Sequence, residues 1–159
     1  MCNVFNHKSM LMKIIFDDNQ SNRMEETNTF GFIEGDTTCT ISPYFKIHEG
    51  KEEEWEDNAK RFYERTKTEH DVIHFGFSYT DDGQVHCREA YKSGVALLHH
   101  QKNVDGPLNS ALKFASLTRL EFHGPKSEIE IVREALTPLG CIFFTADKAS
   151  MKNKRFYKS

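Results

Sequence analysis

The chain has 159 residues, a formal net charge of −3 and 13 phenylalanines. That length suits one domain with a substantial, Phe-rich core, and so small a net charge gives no reason to expect a nucleic-acid partner. Cys2, Cys39, Cys87 and Cys141 form no CxxC pair, a pattern that fits reduced, buried thiols better than a disulfide framework or a zinc site.

No apolar run approaches the ~20 residues of a membrane span. Met10 to Phe16 is too short for a signal peptide and is interrupted by Lys13. The expectation is a soluble cytoplasmic protein with no membrane partner.

Residues 1–36 read as an N-terminal extension, residues 37–147 as the folded domain and residues 148–159 as a basic tail with a frayed end. Within the extension, Leu11 to Phe16 suits an edge strand or docking segment. Asp17 to Thr29 is polar loop or disorder, and Thr29 to Glu34 a further strand. Cys39, Ile41, Pro43, Phe45 and Ile47 alternate with polar neighbours, which predicts the first core strand. Pro43 lacks an N–H and signals a local bulge there.

Lys51 to Lys67 is predicted as a helix, because Trp55, Ala59, Phe62 and Thr66 make one stripe. Its early glutamates and later Lys and Arg complement the helix dipole. Val72 to Thr80 and Gln84 to Tyr91 are predicted strands joined by Asp81-Asp82-Gly83, with Gly83 free to take positive φ. A three-residue loop sets Thr80 opposite Gln84 and His86 opposite Ser78.

Ser93 suits an N-cap, and the segment after it runs through Val95 to Gln101 as a short helix carrying His99 and His100. Asp105-Gly106-Pro107 breaks that helix; Leu108, Ala111, Leu112 and Ala115 then make another helical stripe. Leu117 to His123 is predicted as a strand. Ser127 and Glu130 have capping-box spacing before a helix. Pro138 and Gly140 end that helix, and Cys141 to Ala146 is a last strand.

The order is β-α-β-β-α-β plus an added helix and strand. It predicts an α+β fold with helices on one face of an antiparallel sheet. The apolar positions take one sheet face. Ser42, Tyr44, His74, His86, Arg88, Arg119, Glu121 and His123 take the other, which suits a cavity lining, a polar subunit interface or plain solvent exposure. The candidate chemistry lies between Arg88 and Val104, where a strand hands over to the helix ending in His99 and His100. An imidazole there can shuttle a proton near neutral pH. His70 and His74 need not share a face, and His99 and His100 diverge, so no metal site is expected.

Glu89, Tyr91, His100, Asn103 and Val104 form a Glu-x-Tyr strand, a turn, a short helix and a His-x-x-Asn-Val pattern. A second block runs from Leu117 to Pro125 and is followed by a helix and Cys141 to Phe144. Together they resemble the antibiotic biosynthesis monooxygenase family, also called quinol-monooxygenase-like. The resemblance implies a ferredoxin-like fold, pairing of two chains into a dimeric α/β barrel, and oxidation of phenolic or quinol polyketides by molecular oxygen without any cofactor. The implied partners are a second copy of the chain and a small aromatic or quinol ligand.

On that reading His100 is the catalytic residue. His74, Phe75, Phe77, Glu89, Tyr91, His99 and Phe122 contribute to substrate binding. Haem-degrading relatives place a Trp on a strand, whereas Trp55 falls on the first predicted helix. The alternative is a non-catalytic, ligand-binding or stress-related dimer of the same fold. A tight apolar cavity reaching His100 marks the first, and a core filled by side chains the second.

Overall fold

The computed structural model describes residues 30–32, 35–146 and 151–153. Leu11 to Phe16 and Asp17 to Thr29 lie outside them. The domain is built on β2 (Cys39–Ile47), α1 (Glu52–Thr66), β3 (Val72–Tyr79), β4 (Gln84–Tyr91), α2 (Gly94–Asn103), α3 (Asp105–Ala111) and β5 (Ala115–Gly124). It continues through α4 (Lys126–Leu136), a 3-10 turn (Thr137–Leu139) and β6 (Ile142–Thr145). Two short strands, β1 (Phe30–Phe32) and β7 (Met151–Asn153), pair antiparallel with each other.

The five-stranded sheet has the order β3-β4-β2-β5-β6. Its first four strands are antiparallel neighbours in a ferredoxin-like arrangement, and β6 adds to β5 in parallel through the α4 crossover. The predicted extra helix and strand are therefore α4 and β6.

Several local expectations hold in detail. Gly83 has φ +78°, the Thr80 N–H donates to the Gln84 carbonyl at 3.0 Å, and Ser78 pairs with His86. Ser93 caps α2, its hydroxyl accepting from the Ala96 N–H at 3.2 Å. The bulge expected at Pro43 falls one residue later, between Tyr44 and Phe45 against β5.

The break expected at Asp105-Gly106-Pro107 is present, since α2 ends at Asn103 and these residues open α3 as its first turn; a first-turn N–H has no helical partner, so Pro costs nothing there. Two local expectations do not hold. The stripe from Leu108 to Ala115 splits, because α3 ends at Ala111 and Ala115 opens β5. Ser127 does not cap α4, whose N-cap is Pro125. Instead the buried Glu128 carboxylate reaches across and accepts from the Gly94 N–H at 2.8 Å, so it caps α2. That crossing is close: a Cβ on Gly94 would stand 3.0 Å from the Glu128 carbonyl oxygen and from Val132 Cγ1.

The core between sheet and helices forms two clusters. Tyr91, Leu97, Leu120, Phe122, Ile129, Val132 and Leu136 pack under α2 and α4. Phe45, Trp55, Phe62, Val85, Val104 and Ala111 pack under α1 and α3.

Candidate functional site

Alternation along β4 turns Cys87, Glu89 and Tyr91 toward the helices. Leu97, His100 and Val104 recur at spacings of three and four and turn back toward the sheet. Between these two rows lies a cavity of about 80 Å³. Phe62, Phe75, Phe77, Leu97, Leu117 and Leu120 contribute to its apolar wall, and no Lys or Arg among the described residues lines it. Gln101, Leu108 and the half-exposed Leu139 also line it.

Its polar groups converge on His100. Nε2 of His100 stands 3.7 Å from Glu89 Oε2, with the two side chains only 4% and 8% exposed. The Tyr91 hydroxyl donates to the same Glu89 oxygen at 2.5 Å. On the far side of the ring, His100 Nδ1 lies 2.9 Å from Glu69 Oε1. That oxygen also accepts from Asn103 Nδ2 at 2.7 Å. The rings of Tyr91 and Phe75 pack on His100 at centroid distances of 5.2 and 5.4 Å.

Burial pushes the Glu89 carboxyl above its ordinary range; the charge on His100 and hydrogen bonds from Tyr91 and Cys87 pull against that shift. Burial, and then the Glu89 charge, push both the Tyr91 hydroxyl and the Cys87 thiol upward. Burial thus shifts the Glu89 carboxyl toward its neutral form beside the His100 ring in an apolar cavity, an arrangement suited to proton transfer.

The predicted site residues separate into groups. His100, Glu89, Phe75 and Phe77 line the cavity, and Tyr91 stands directly behind Glu89. Phe122 is fully buried but belongs to the cluster under α2 and α4. His99 is exposed on the neighbouring side of α2. His74 is on the opposite sheet face, where its Nε2 accepts from Arg88 Nε at 3.2 Å. Sequence reasoning missed Glu69, which sits in the α1–β3 loop with its N–H bonded to the Thr66 carbonyl. The spacing of His100 and Asn103, three apart on one helix face, carried the signal for a shared partner.

The opposite sheet face carries the predicted polar set. Tyr44 stacks on His86 with centroids 4.5 Å apart, and the Arg119 guanidinium lies 5.8 Å from the Tyr44 ring centre. Glu121 bonds to Arg119 and stands 3.6 Å from His123 Nε2. The Nε2 atom of His86 is buried and finds no hydrogen-bond partner among the described residues. Burial, and then the Arg88 charge, hold the His86 imidazole below its ordinary range. Among the described residues, no group of His, Cys, Asp and Glu could hold a metal ion, and no helix is long and apolar enough to cross a membrane.

A ferredoxin-like α+β domain with an acid–imidazole pair in an apolar cavity is the class that fold and site define. No family model and no curated protein sequence matches the chain. Among solved structures, MupZ from Pseudomonas fluorescens is 33% identical, with 72% of this chain and 94% of that chain covered and a TM-score of 0.68. A candidate antibiotic biosynthesis monooxygenase from Nitrosomonas europaea is 14% identical over 57% of this chain and 92% of that one, with a TM-score of 0.52. Another, from Caulobacter crescentus CB15, is 18% identical over 55% of this chain and 88% of that one, with a TM-score of 0.50. The chain belongs to the same family as MupZ, and it shares the fold of the two antibiotic biosynthesis monooxygenase structures.

Proposed function

We propose that the chain is a cofactor-independent monooxygenase acting on a small, neutral quinol or aromatic, polyketide-like substrate. The observation that carries this reading is an apolar cavity that reaches His100 and Glu89 and is lined by no Lys or Arg among the described residues. Such a pocket favours an uncharged ring and concentrates its polar contacts on one hydroxyl. His100 Nε2 takes the hydroxyl proton, and the resulting anion gives its electron pair to molecular oxygen. One oxygen atom stays on the substrate carbon as a carbonyl, and the other leaves as water with two hydrogens from the substrate. The electrons come from the substrate itself, so the balance requires no further reductant. Phe75, Phe77, Glu89 and Tyr91 shape and orient the ligand end of the pocket.

The active form is proposed to be a cytoplasmic homodimer. The polar sheet face carries Arg88 and Arg119 beside Glu121, so it is self-complementary under a two-fold axis. A second copy would also bring possible acceptors to the orphaned His86 Nε2. Light scattering should give twice the chain mass at micromolar concentration; a monomer would remove the barrel from this account.

Oxygen uptake against a panel of hydroquinones and anthrones tests the activity. The expected result is consumption of one O2 per substrate with one atom of labelled oxygen in the product. A second reading, proton-transfer isomerisation or cyclisation, is favoured by the opposition of the Glu89 acid and the His100 base. It predicts conversion under nitrogen with no oxygen uptake.

A further inference from the structure

We propose that Glu69 is a positioning residue that holds His100 in the Nδ1–H tautomer, so that the Nε2 lone pair is presented to the cavity. The inference rests on the proton-transfer role given to His100 above, but its structural part can be measured without any substrate.

Glu69 Oε1 lies 2.9 Å from His100 Nδ1 and 2.7 Å from Asn103 Nδ2. A carboxylate oxygen only accepts, and an amide nitrogen only donates. The Asn103 contact therefore marks Oε1 as an acceptor, and the His100 atom facing it must carry a hydrogen. The other tautomer would set a nitrogen lone pair against a carboxylate oxygen in a nearly dry site.

Asn103 also donates to the Arg65 carbonyl at 3.0 Å, which ties the end of α2 to the end of α1 and holds the amide in place. The His-x-x-Asn spacing thus has a physical meaning: both side chains leave the same helix face and close on one carboxylate. Glu69 itself keeps 15% of its side chain exposed at a groove lined by Tyr63, Lys67, His74 and Phe75. It therefore remains in contact with solvent while its partner is sealed inside. The arrangement parallels the way a third group orients a catalytic base in acyl-transfer triads.

The test is nitrogen-15 spectroscopy of the labelled imidazoles in the full chain, with His100 assigned through His100→Ala. In the parent protein, Nδ1 of His100 should read as protonated and Nε2 as a lone-pair nitrogen. Glu69→Ala should release the ring into a mixture of tautomers and lower kcat on the order of 100-fold. Glu69→Gln retains an amide oxygen that can accept from Nδ1–H, so it should keep the tautomer and recover most of the rate. An Nε2–H ring in the parent protein would overturn the proposal, as would a Glu69→Ala ring that stays in the Nδ1–H form. If the tautomer behaves as expected but no quinol or anthrone is turned over, the positioning role stands and the monooxygenase reading falls.

Discussion

The two faces of one sheet carry two Glu–His pairs of nearly equal length. Glu89 and His100 stand 3.7 Å apart on the helix-covered face, and Glu121 and His123 stand 3.6 Å apart on the other. Distance does not distinguish them; their surroundings do. His100 is 4% exposed, whereas His123 is 45% exposed and stacks on Phe144. Glu121 bonds to the Arg119 guanidinium, while no Arg or Lys among the described residues lines the cavity that Glu89 faces. Burial in a dry cavity drives the Glu89 carboxyl toward its neutral form. The same residue types therefore give a structural ion pair on one face and an acid–base pair on the other.

The largest expected difference between the pairs is in rate. His100→Ala should lower turnover of the quinol or anthrone substrate by about 100- to 10,000-fold. His123→Ala should leave it within about twofold, because that ring is on the other face and does not line the cavity. Equal losses from the two variants would erase the distinction.

A smaller effect is expected in stability against pH. The folded-state Glu89 carboxyl titrates above its ordinary value. The folded chain therefore keeps a proton that the unfolded chain releases first. Stability from this site is greatest below the ordinary carboxyl value and is lost as pH rises from there through the raised folded-state value, by about 1.4 kcal/mol for each unit separating the two values. Glu89→Gln should flatten that slope and raise the melting temperature at neutral pH while it lowers turnover. A parallel slope in parent and variant, measured by thermal melts from pH 4 to 8, would place the titration elsewhere.

The smallest effect is expected in open water. Lys92 and Asp71 lie 3.0 Å apart with both side chains well exposed. Lys92→Ala should change stability by less than about 1 kcal/mol, and by less still in high salt.

Much of the fold was legible because its signals are local. Alternation set the inner rows of β2 and β4, and the Trp55–Thr66 stripe set the buried face of α1. The three-residue hairpin fixed the register that brings His86 beside Ser78. The site was only half legible. Glu89 and Tyr91 share a strand face by period two, and His100 announces itself within the His-x-x-Asn pattern. Glu69 lies 31 residues from His100 in sequence, in a polar loop after α1, and no periodicity links them. His74 and Phe122 show the converse limit. Parity assigns a residue to a sheet face, but it does not say whether that face is wet or which part of the core the side chain joins. The Ser127 spacing failed because α4 starts earlier, at Lys126 with Pro125 as its N-cap, which puts Ser127 inside the first turn, and Glu130 accepts from Arg133 instead.

The central claim is that the small-molecule site is the cavity at Glu89 and His100 and not the polar face at Glu121 and His123. Resonances of the labelled histidine rings, followed under nitrogen as a hydroquinone is titrated in, test it most directly. The account predicts saturable shifts at His100, with the rings of His86, His99 and His123 unmoved. Saturable shifts at His86 and His123 with a silent His100 would contradict it.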